Sequence, residues 1–385
     1  NVPLWSDGAA KSRWLAVPSG TAIHFSPTGE WTFPSGTVFI KHFELPVDDR
    51  NPAIRRRLET RLVVRDSGNG IYAATYKWRA DNSDADLLPG GLSENITIAT
   101  ANGPRTQTWD YPSPRDCMLC HNPNANSIIG VRTRQLNGSL TYPSTGVNDN
   151  QLRTLSHIGL FDPAVSDAGM ATYASLAPLT DTSASIVTRI RSYLDANCAQ
   201  CHRPNGGQTF WDARFDTPLE AQGIVDGKVE NNRGIVDARV VAPGSLSRSL
   251  LYLRMNSTDS HRMPPLGRNL IDAEAVALIA SYISTVSALP VPPIPVPPIP
   301  VVQIPGHLTN ISGRAVAGTG NQTLIVGFVV GGTGTKTVLV RGIGPALLDF
   351  GLSDALRATF LRVVNAQGSI LLQNDNWGDG GNGQP

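Results

Sequence analysis

The four cysteines constrain this chain more than any other feature of its sequence. They lie in two copies of one pattern, Cys117-Met-Leu-Cys120-His121 and Cys198-Ala-Gln-Cys201-His202, and the 385-residue chain has no others. Because the two copies use every cysteine, none remains for a disulfide between elements. The fold must therefore depend on its apolar core and on whatever the two patterns bind.

The pattern Cys-x-x-Cys-His is the attachment signature of c-type haem, in which two thiols bond the porphyrin and the adjacent imidazole ligates iron. A zinc site built from two Cys-x-x-Cys pairs usually has about 15–20 residues between the pairs. Here 77 residues separate Cys120 from Cys198. A thioredoxin-like pair needs no following histidine. The sequence therefore predicts two covalently bound haem c groups, with His121 and His202 as iron ligands.

Composition and charge exclude several other classes of protein. The net charge is +1 and only 16% of the residues are charged, which gives no basic surface for nucleic acid. Apolar runs are short, so no transmembrane span is expected. Haem attachment of this type takes place outside the cytoplasm, which predicts a periplasmic or extracellular protein. We expect residue Asn1 to begin inside a longer precursor.

The pattern along the chain predicts an α+β multidomain protein. Residues 1–112 are β-rich, with a strand over Thr37 to Leu45 and a hairpin of Arg57 to Arg65 with Ile71 to Trp78 around Asn69-Gly70. We expect a small antiparallel sheet or sandwich there. Residues 113–182 hold the first motif in a loop-rich segment with short helices.

Residues 183–289 have clearer helical periodicity. Ile186, Ile190 and Leu194 recur at helical spacing and lead into Cys198, and Asp272 can cap a closing helix. This arrangement resembles a class I cytochrome c domain. Residues 290–305 are a proline-rich linker, and residues 306–385 are expected to be a β-sandwich-like domain that stops before its final strands. Its β-like runs are Leu324 to Val330, Thr337 to Arg341, Phe360 to Val364 and Ile370 to Leu372.

Met263 is the candidate sixth ligand of haem 2, the haem of the second motif. It lies 61 residues beyond His202, in an Arg-Met-Pro-Pro run that precedes the capped helix. Met255 is the alternative, but it fits a helix face in the core. Ligation by histidine and methionine raises the reduction potential and leaves iron without an open position.

The sixth ligand of haem 1, the haem of the first motif, stays open. We expect His42 first, because a strand can present an imidazole rigidly to a haem face. His157 and Met170 are further candidates, as are Lys41, water and an open site.

Six runs of the sequence carry a resemblance to a known family: Leu4 to Lys11, Trp31 to Thr37, Arg57 to Arg61, Thr133 to Asn137, Ser192 to Cys198 and Arg262 to Gly267. They resemble a family of exported dihaem c-type cytochromes, over about residues 1–289. The resemblance implies an electron acceptor for a periplasmic dehydrogenase, since members can be joined to quinoprotein dehydrogenases of the glucose/sorbosone type. The tail, with its runs Leu308 to Ser312, Gly342 to Ala346 and Asn374 to Trp377, resembles β modules of secreted bacterial proteins.

These observations favour an electron-transfer protein over an enzyme, with a dehydrogenase as its redox partner. The alternative is a dihaem peroxidase in which the haem 1 iron keeps an open position. The β-rich N-terminal segment and the spacing of the two motifs do not resemble that layout. A third interpretation, an adhesion or carbohydrate-binding module, lacks an exposed aromatic row to support it.

Overall fold

The structure is a computed structural model. It describes residues 1–287 apart from 69, 208 and 209, together with 318, 324, 326, 340–342, 355, 356, 358–365 and 369–375. The chain divides into two compact units, Asn1–Val291 and Pro292–Pro385. The predicted segments 1–112, 113–182 and 183–289 all lie in the first unit. The described residues form a mixed α/β structure with several small, mainly antiparallel sheets and few helices.

The described strands of the first unit are β1 (Ala10–Ala16), β2 (Ile23–His24), β3 (Val38–Pro46), β4 (Arg55–Arg65), β5 (Ile71–Trp78), β6 (Ala85–Leu88), β7 (Leu92–Ile98), β8 (Arg105–Tyr111), β9 (Ser139–Thr141), β10 (Asn148–Asn150) and β11 (Phe161–Asp162). A five-stranded antiparallel sheet dominates the N-terminal part, in the order β1-β3-β4-β5-β6. A separate hairpin joins β7 to β8, and the short strand β2 pairs in parallel with β11.

The β-rich character predicted for the N-terminal part is confirmed. The predicted strand from Thr37 corresponds to β3, and the predicted hairpin corresponds to β4 and β5, which pair from Arg65 opposite Ile71. Asn69 in its turn lies outside the described residues. Two-residue alternation puts Phe39, Lys41 and Phe43 on one face of the sheet, which we call the inner face.

The inner face packs on two apolar clusters. Phe39 contacts a cluster around Trp31 and Phe161, and Phe43 belongs to a second cluster with Trp109. Phe43 is fully buried, and burying a side chain of this size contributes roughly 1.5–3 kcal/mol. The inner face therefore points into the protein.

Short helices and turns follow the sheet in the chain. The helices are α1 (Pro114–Cys120), α2 (Thr133–Leu136), α3 (Gln151–His157), α4 (Asp167–Thr172), α5 (Ile186–Asn197), α6 (Leu250–Met255) and α7 (Ala273–Thr285). The three later helices, α5, α6 and α7, pack together at the C-terminal end of the described part of the unit. The predicted helix before the second motif is α5, and Asp272 caps α7 by accepting the Ala275 N–H at 3.2 Å. Ile190, Leu194, Ile279 and Ile283 from α5 and α7 share one core. No helix among the described residues is long and apolar enough to cross a bilayer.

In the second unit, the structure describes one antiparallel pair, β12 (Leu361–Val364) with β13 (Ile370–Asn374). These strands match two of the runs that the sequence predicts. The predicted runs Leu324 to Val330 and Thr337 to Arg341 fall mostly outside the described residues, as does the linker 290–305.

Candidate functional site

The first motif ends helix α1. The Ser113 hydroxyl caps the helix by accepting the Asp116 N–H, and the Asp116 carboxylate in turn accepts the Ser113 N–H. Pro114 occupies the first turn. Cys117 and Cys120 are three residues apart and therefore share one helix face. His121 follows as the C-cap residue, and its N–H donates to the Cys117 carbonyl at 2.9 Å.

The loop after α1 orients the His121 ring. The Nδ1 of His121 donates to the Ser127 carbonyl oxygen at 2.8 Å. Since a carbonyl can only accept, Nδ1 carries the proton, and Nε2 keeps the lone pair that could ligate iron. Asn126 and Ser127 have left-handed φ angles of 57° and 59°, which such residues adopt at a cost. The role of Ser127 could not be predicted from the sequence, because a residue of any type can supply a backbone carbonyl.

The His121 imidazole is held in its neutral form. Burial lowers its pKa, and the nearby cations Lys41 and Arg61 act in the same direction, against the hydrogen bond to Ser127. A neutral imidazole is the form that ligates metal.

The second motif follows helix α5 directly, with Cys198 as the C-cap residue. The Cys201 and His202 N–H groups both donate to the Cys198 carbonyl, at 3.1 and 2.9 Å. The His202 ring stacks on Trp211, with 4.1 Å between ring centroids and 28° between planes. Burial, with help from Arg254, lowers the pKa of His202 to about 4. This imidazole too is neutral near pH 7.

The fold brings the two motifs into contact. The Cys201 thiol lies 4.0 Å from the Leu119 carbonyl oxygen of the first motif. It also interacts with the Cys120 thiol, which lowers the pKa of Cys201 to about 7 and raises the pKa of Cys120. Arg203 donates to the Asn124 carbonyl at 2.9 Å, and the Asn124 side chain donates to the Asn205 carbonyl. All four cysteines are free thiols of intermediate exposure.

A buried ion network fixes the two motif segments together. The Asp195 side chain, fully buried on α5, pairs with Arg132 at 2.9 Å and with Arg134 at 3.0 Å. Arg132 also pairs with Glu30 at 2.9 Å, and Glu30 lies 3.3 Å from Arg203 of the second motif segment. Arg134 and Asp195 lie within runs that carry the family resemblance, but the sequence did not identify them as partners.

Met263 lines a cleft beside the second motif. The cleft is bounded by the N-terminal run at Trp5, by Tyr193 and Asn197 of α5, and by Met255. The Met263 N–H donates to the Arg254 carbonyl at 3.0 Å. Met255, the alternative ligand, is 4% exposed within the α5–α7 core.

Two buried polar side chains hold the loop after Met263. Arg268 donates to the carbonyls of Leu270, Arg254 and Ser257 at 2.7–3.0 Å. The Asp7 carboxylate accepts the N–H groups of residues 269 and 270 at 2.8–2.9 Å. Both side chains position the loop through backbone contacts, which spacing in the sequence does not reveal.

His42 lies on the outer face of the sheet, opposite to Lys41. Its Nδ1 is 2.9 Å from the Thr60 hydroxyl, and its Nε2 is 3.6 Å from the Glu44 carboxylate. Its ring packs edge-on against Trp78, with 5.6 Å between centroids. These are contacts with the sheet itself, so the structure does not bring His42 together with the first motif.

The other candidates for haem 1 occupy different places. His157 is exposed at the end of α3, and Met170 is buried in the cluster around Trp31 and Phe161. Lys41 lies on the inner face, and its charge acts on His121. The inner face adjoins the first motif, since α1 packs against β5 and the Thr75 hydroxyl donates to the Pro112 carbonyl at 3.2 Å.

Among the described residues, no three or more His, Cys, Asp or Glu side chains are grouped so that they could hold a bare metal ion. No protein-family model, no curated protein and no solved structure matches the chain.

Proposed function

We propose that the chain binds two haem c groups covalently and transfers electrons between them. The close approach of the two motifs carries this proposal. The Cys201 thiol lies 4.0 Å from the Leu119 carbonyl and interacts with the Cys120 thiol, although Cys120 and Cys201 are 81 positions apart in the chain. Attachment at these two cysteines would bring two porphyrin edges close together. When bound, each haem supplies an iron that alternates between the ferrous and ferric states.

The donor groups fit haem better than they fit a bare metal ion. Each motif offers two free thiols and one neutral imidazole, the set that covalent haem attachment needs. A structural zinc site needs four ligands in one tetrahedral cluster, and the described cysteines are not gathered in that way. A porphyrin supplies four of the iron ligands itself, so one imidazole from the protein is sufficient to begin the site.

Met263 is the proposed sixth ligand of haem 2. Its loop is fixed by Arg268 and Asp7, and it lies next to Arg254, whose charge acts on His202. A thioether in this place stabilises ferrous iron and closes the site to small ligands. Haem 2 would then pass electrons without binding a substrate.

The protein would work outside the cytoplasm, where haem is attached to such motifs, and would take electrons from a dehydrogenase and pass them to a further acceptor. This part of the proposal depends on the resemblance to exported dihaem cytochromes.

Intact mass of the protein produced together with the haem attachment machinery tests the proposal. We expect a mass excess of two haems. Replacing Cys117 and Cys120 by Ala should remove one haem, and replacing Cys198 and Cys201 should remove the other. The exposed His157→Ala variant is the matched control and should keep both. A wild-type mass excess of one haem or none would contradict the proposal.

A further inference from the structure

The inner face of the sheet carries a row of cations opposite the first motif. Arg13 on β1 pairs directly with Lys41 on β3, and Lys41 pairs directly with Arg61 on β4. Directly paired residues share a face. Lys11 lies on the same face, two residues from Arg13. We call these four side chains the cation row.

The cation row adjoins the first motif. Thr75 on β5 pairs directly with Arg61 and therefore shares its face, and the Thr75 hydroxyl donates to the carbonyl of Pro112, just before α1, at 3.2 Å. The charges of Lys41 and Arg61 also lower the pKa of His121. His42, next to Lys41 on β3, projects to the other face of the sheet, so β3 presents Lys41 and not His42 on its inner face.

Lys41 is the amine of the row that has no polar partner among the described residues. Arg61 is bound by Glu59, with nitrogen to oxygen distances of 2.9 and 2.6 Å, and Lys11 donates to the Ala9 carbonyl at 3.3 Å. Within the part of the chain that the structure describes, neither Lys41 nor Arg13 has a hydrogen bond or an ion pair. The Lys41 Nζ lies 5.0 Å from the centroid of the Phe43 ring.

Electrostatics in the row favour the uncharged amine. Burial and repulsion by Arg13, Arg61 and Lys11 lower the pKa of Lys41 well below its usual range, and Glu59 opposes this only in part. The arginines cannot deprotonate and have no lone pair to donate, whereas a neutral amine can ligate a metal. Coordination to iron would give the half-buried Lys41 amine a partner.

We propose that Lys41 is the sixth ligand of haem 1, on the side of the porphyrin away from His121. This inference rests on the proposed haem attachment. With Lys41 bound, the haem 1 iron would have no open position. The protein would differ in this respect from a dihaem peroxidase, whose iron keeps an open position for its substrate.

Low-temperature electron paramagnetic resonance of the ferric protein tests the assignment. We expect both haems to be low-spin in the wild type. Lys41→Ala and Lys41→Arg should each convert haem 1 to high-spin, with loss of about half of the low-spin intensity and binding of added cyanide at haem 1. Lys41→Arg is the decisive variant, since it keeps a long side chain that ends in nitrogen but has no donor lone pair.

Two matched controls separate ligation from charge and from fold. His42→Ala changes the next residue on the same strand, and Arg13→Gln removes a neighbouring charge from the same row. Both should leave the low-spin spectrum intact. Far-UV circular dichroism and intact mass are measured for every variant, which identifies failure to fold or to attach haem. Lys41→Met serves if Lys41→Ala does not fold, and it should give either a histidine–methionine spectrum or high-spin iron.

The outcomes are distinct. A wild-type mass without two haems defeats the proposed function itself. Two attached haems with an unchanged low-spin spectrum in Lys41→Arg overturn the Lys41 assignment alone. A loss of low-spin signal in His42→Ala, or a high-spin haem 1 in the wild type, overturns it as well.

Discussion

Asp195→Asn should destabilise the protein strongly, because Asp195 lies at the centre of the buried ion network between the two motif segments. Its side chain is fully buried and accepts hydrogen bonds from Arg132, from Arg134 and from the Phe215 N–H at 2.9–3.2 Å. In Asp195→Asn, an amide replaces one carboxylate oxygen and turns donors toward two buried guanidinium groups. Removing one partner of a buried pair costs about 3–5 kcal/mol.

That loss is large beside a total stability of about 5–15 kcal/mol. The free energy of unfolding is measured by urea titration followed by far-UV circular dichroism. Asp216→Asn is the matched control, because Asp216 pairs with the same Arg134 at 2.6 Å but its side chain is 40% exposed. A pair of that kind contributes about 0–1 kcal/mol. Equal losses in the two variants, or a loss below about 1 kcal/mol in Asp195→Asn, would refute the reasoning.

Three further predictions concern the Met263 loop. Met263→Ala should lower the potential of haem 2 and let carbon monoxide bind to it; an unchanged potential in a redox titration would make Met263 a packing residue. Arg268→Met removes the guanidinium donor from the carbonyls of Leu270, Arg254 and Ser257, of which only Arg254 keeps another donor, the Met263 N–H. Urea titration should therefore give a loss of about 1–3 kcal/mol. Burial raises the pKa of Asp7 above its value in the unfolded chain. The folded state therefore binds the Asp7 proton more tightly, and stability should fall as the pH rises from the unfolded to the folded pKa. Asp7→Asn should flatten this slope in urea midpoints measured between about pH 3 and 6.

Local patterns in the sequence were enough to predict most of the regular elements of the first unit. Two-residue alternation and the turn at residue 69 located β3, β4 and β5, because strand pairing across a short turn is a local event. Helical spacing and the cap residue Asp272 located α5 and α7 for the same reason. The short parallel pairing of β2 with β11 was not predictable in this way, since its partners are 138 residues apart at Ile23 and Phe161.

The sequence by itself determined the chemistry available at the site: two cysteine pairs, each followed by a histidine, with no cysteine left over. Tertiary structure decided which groups meet. Alternation places Lys41 and His42 on opposite faces of β3, but only the packing of α1 against β5 determines which face meets the first motif. Likewise, only the fold brings Cys120 to Cys201 and buries Asp195 between two arginines. The physical reason is that spacing along the chain fixes local geometry, whereas burial and electrostatic pairing depend on contacts between distant segments.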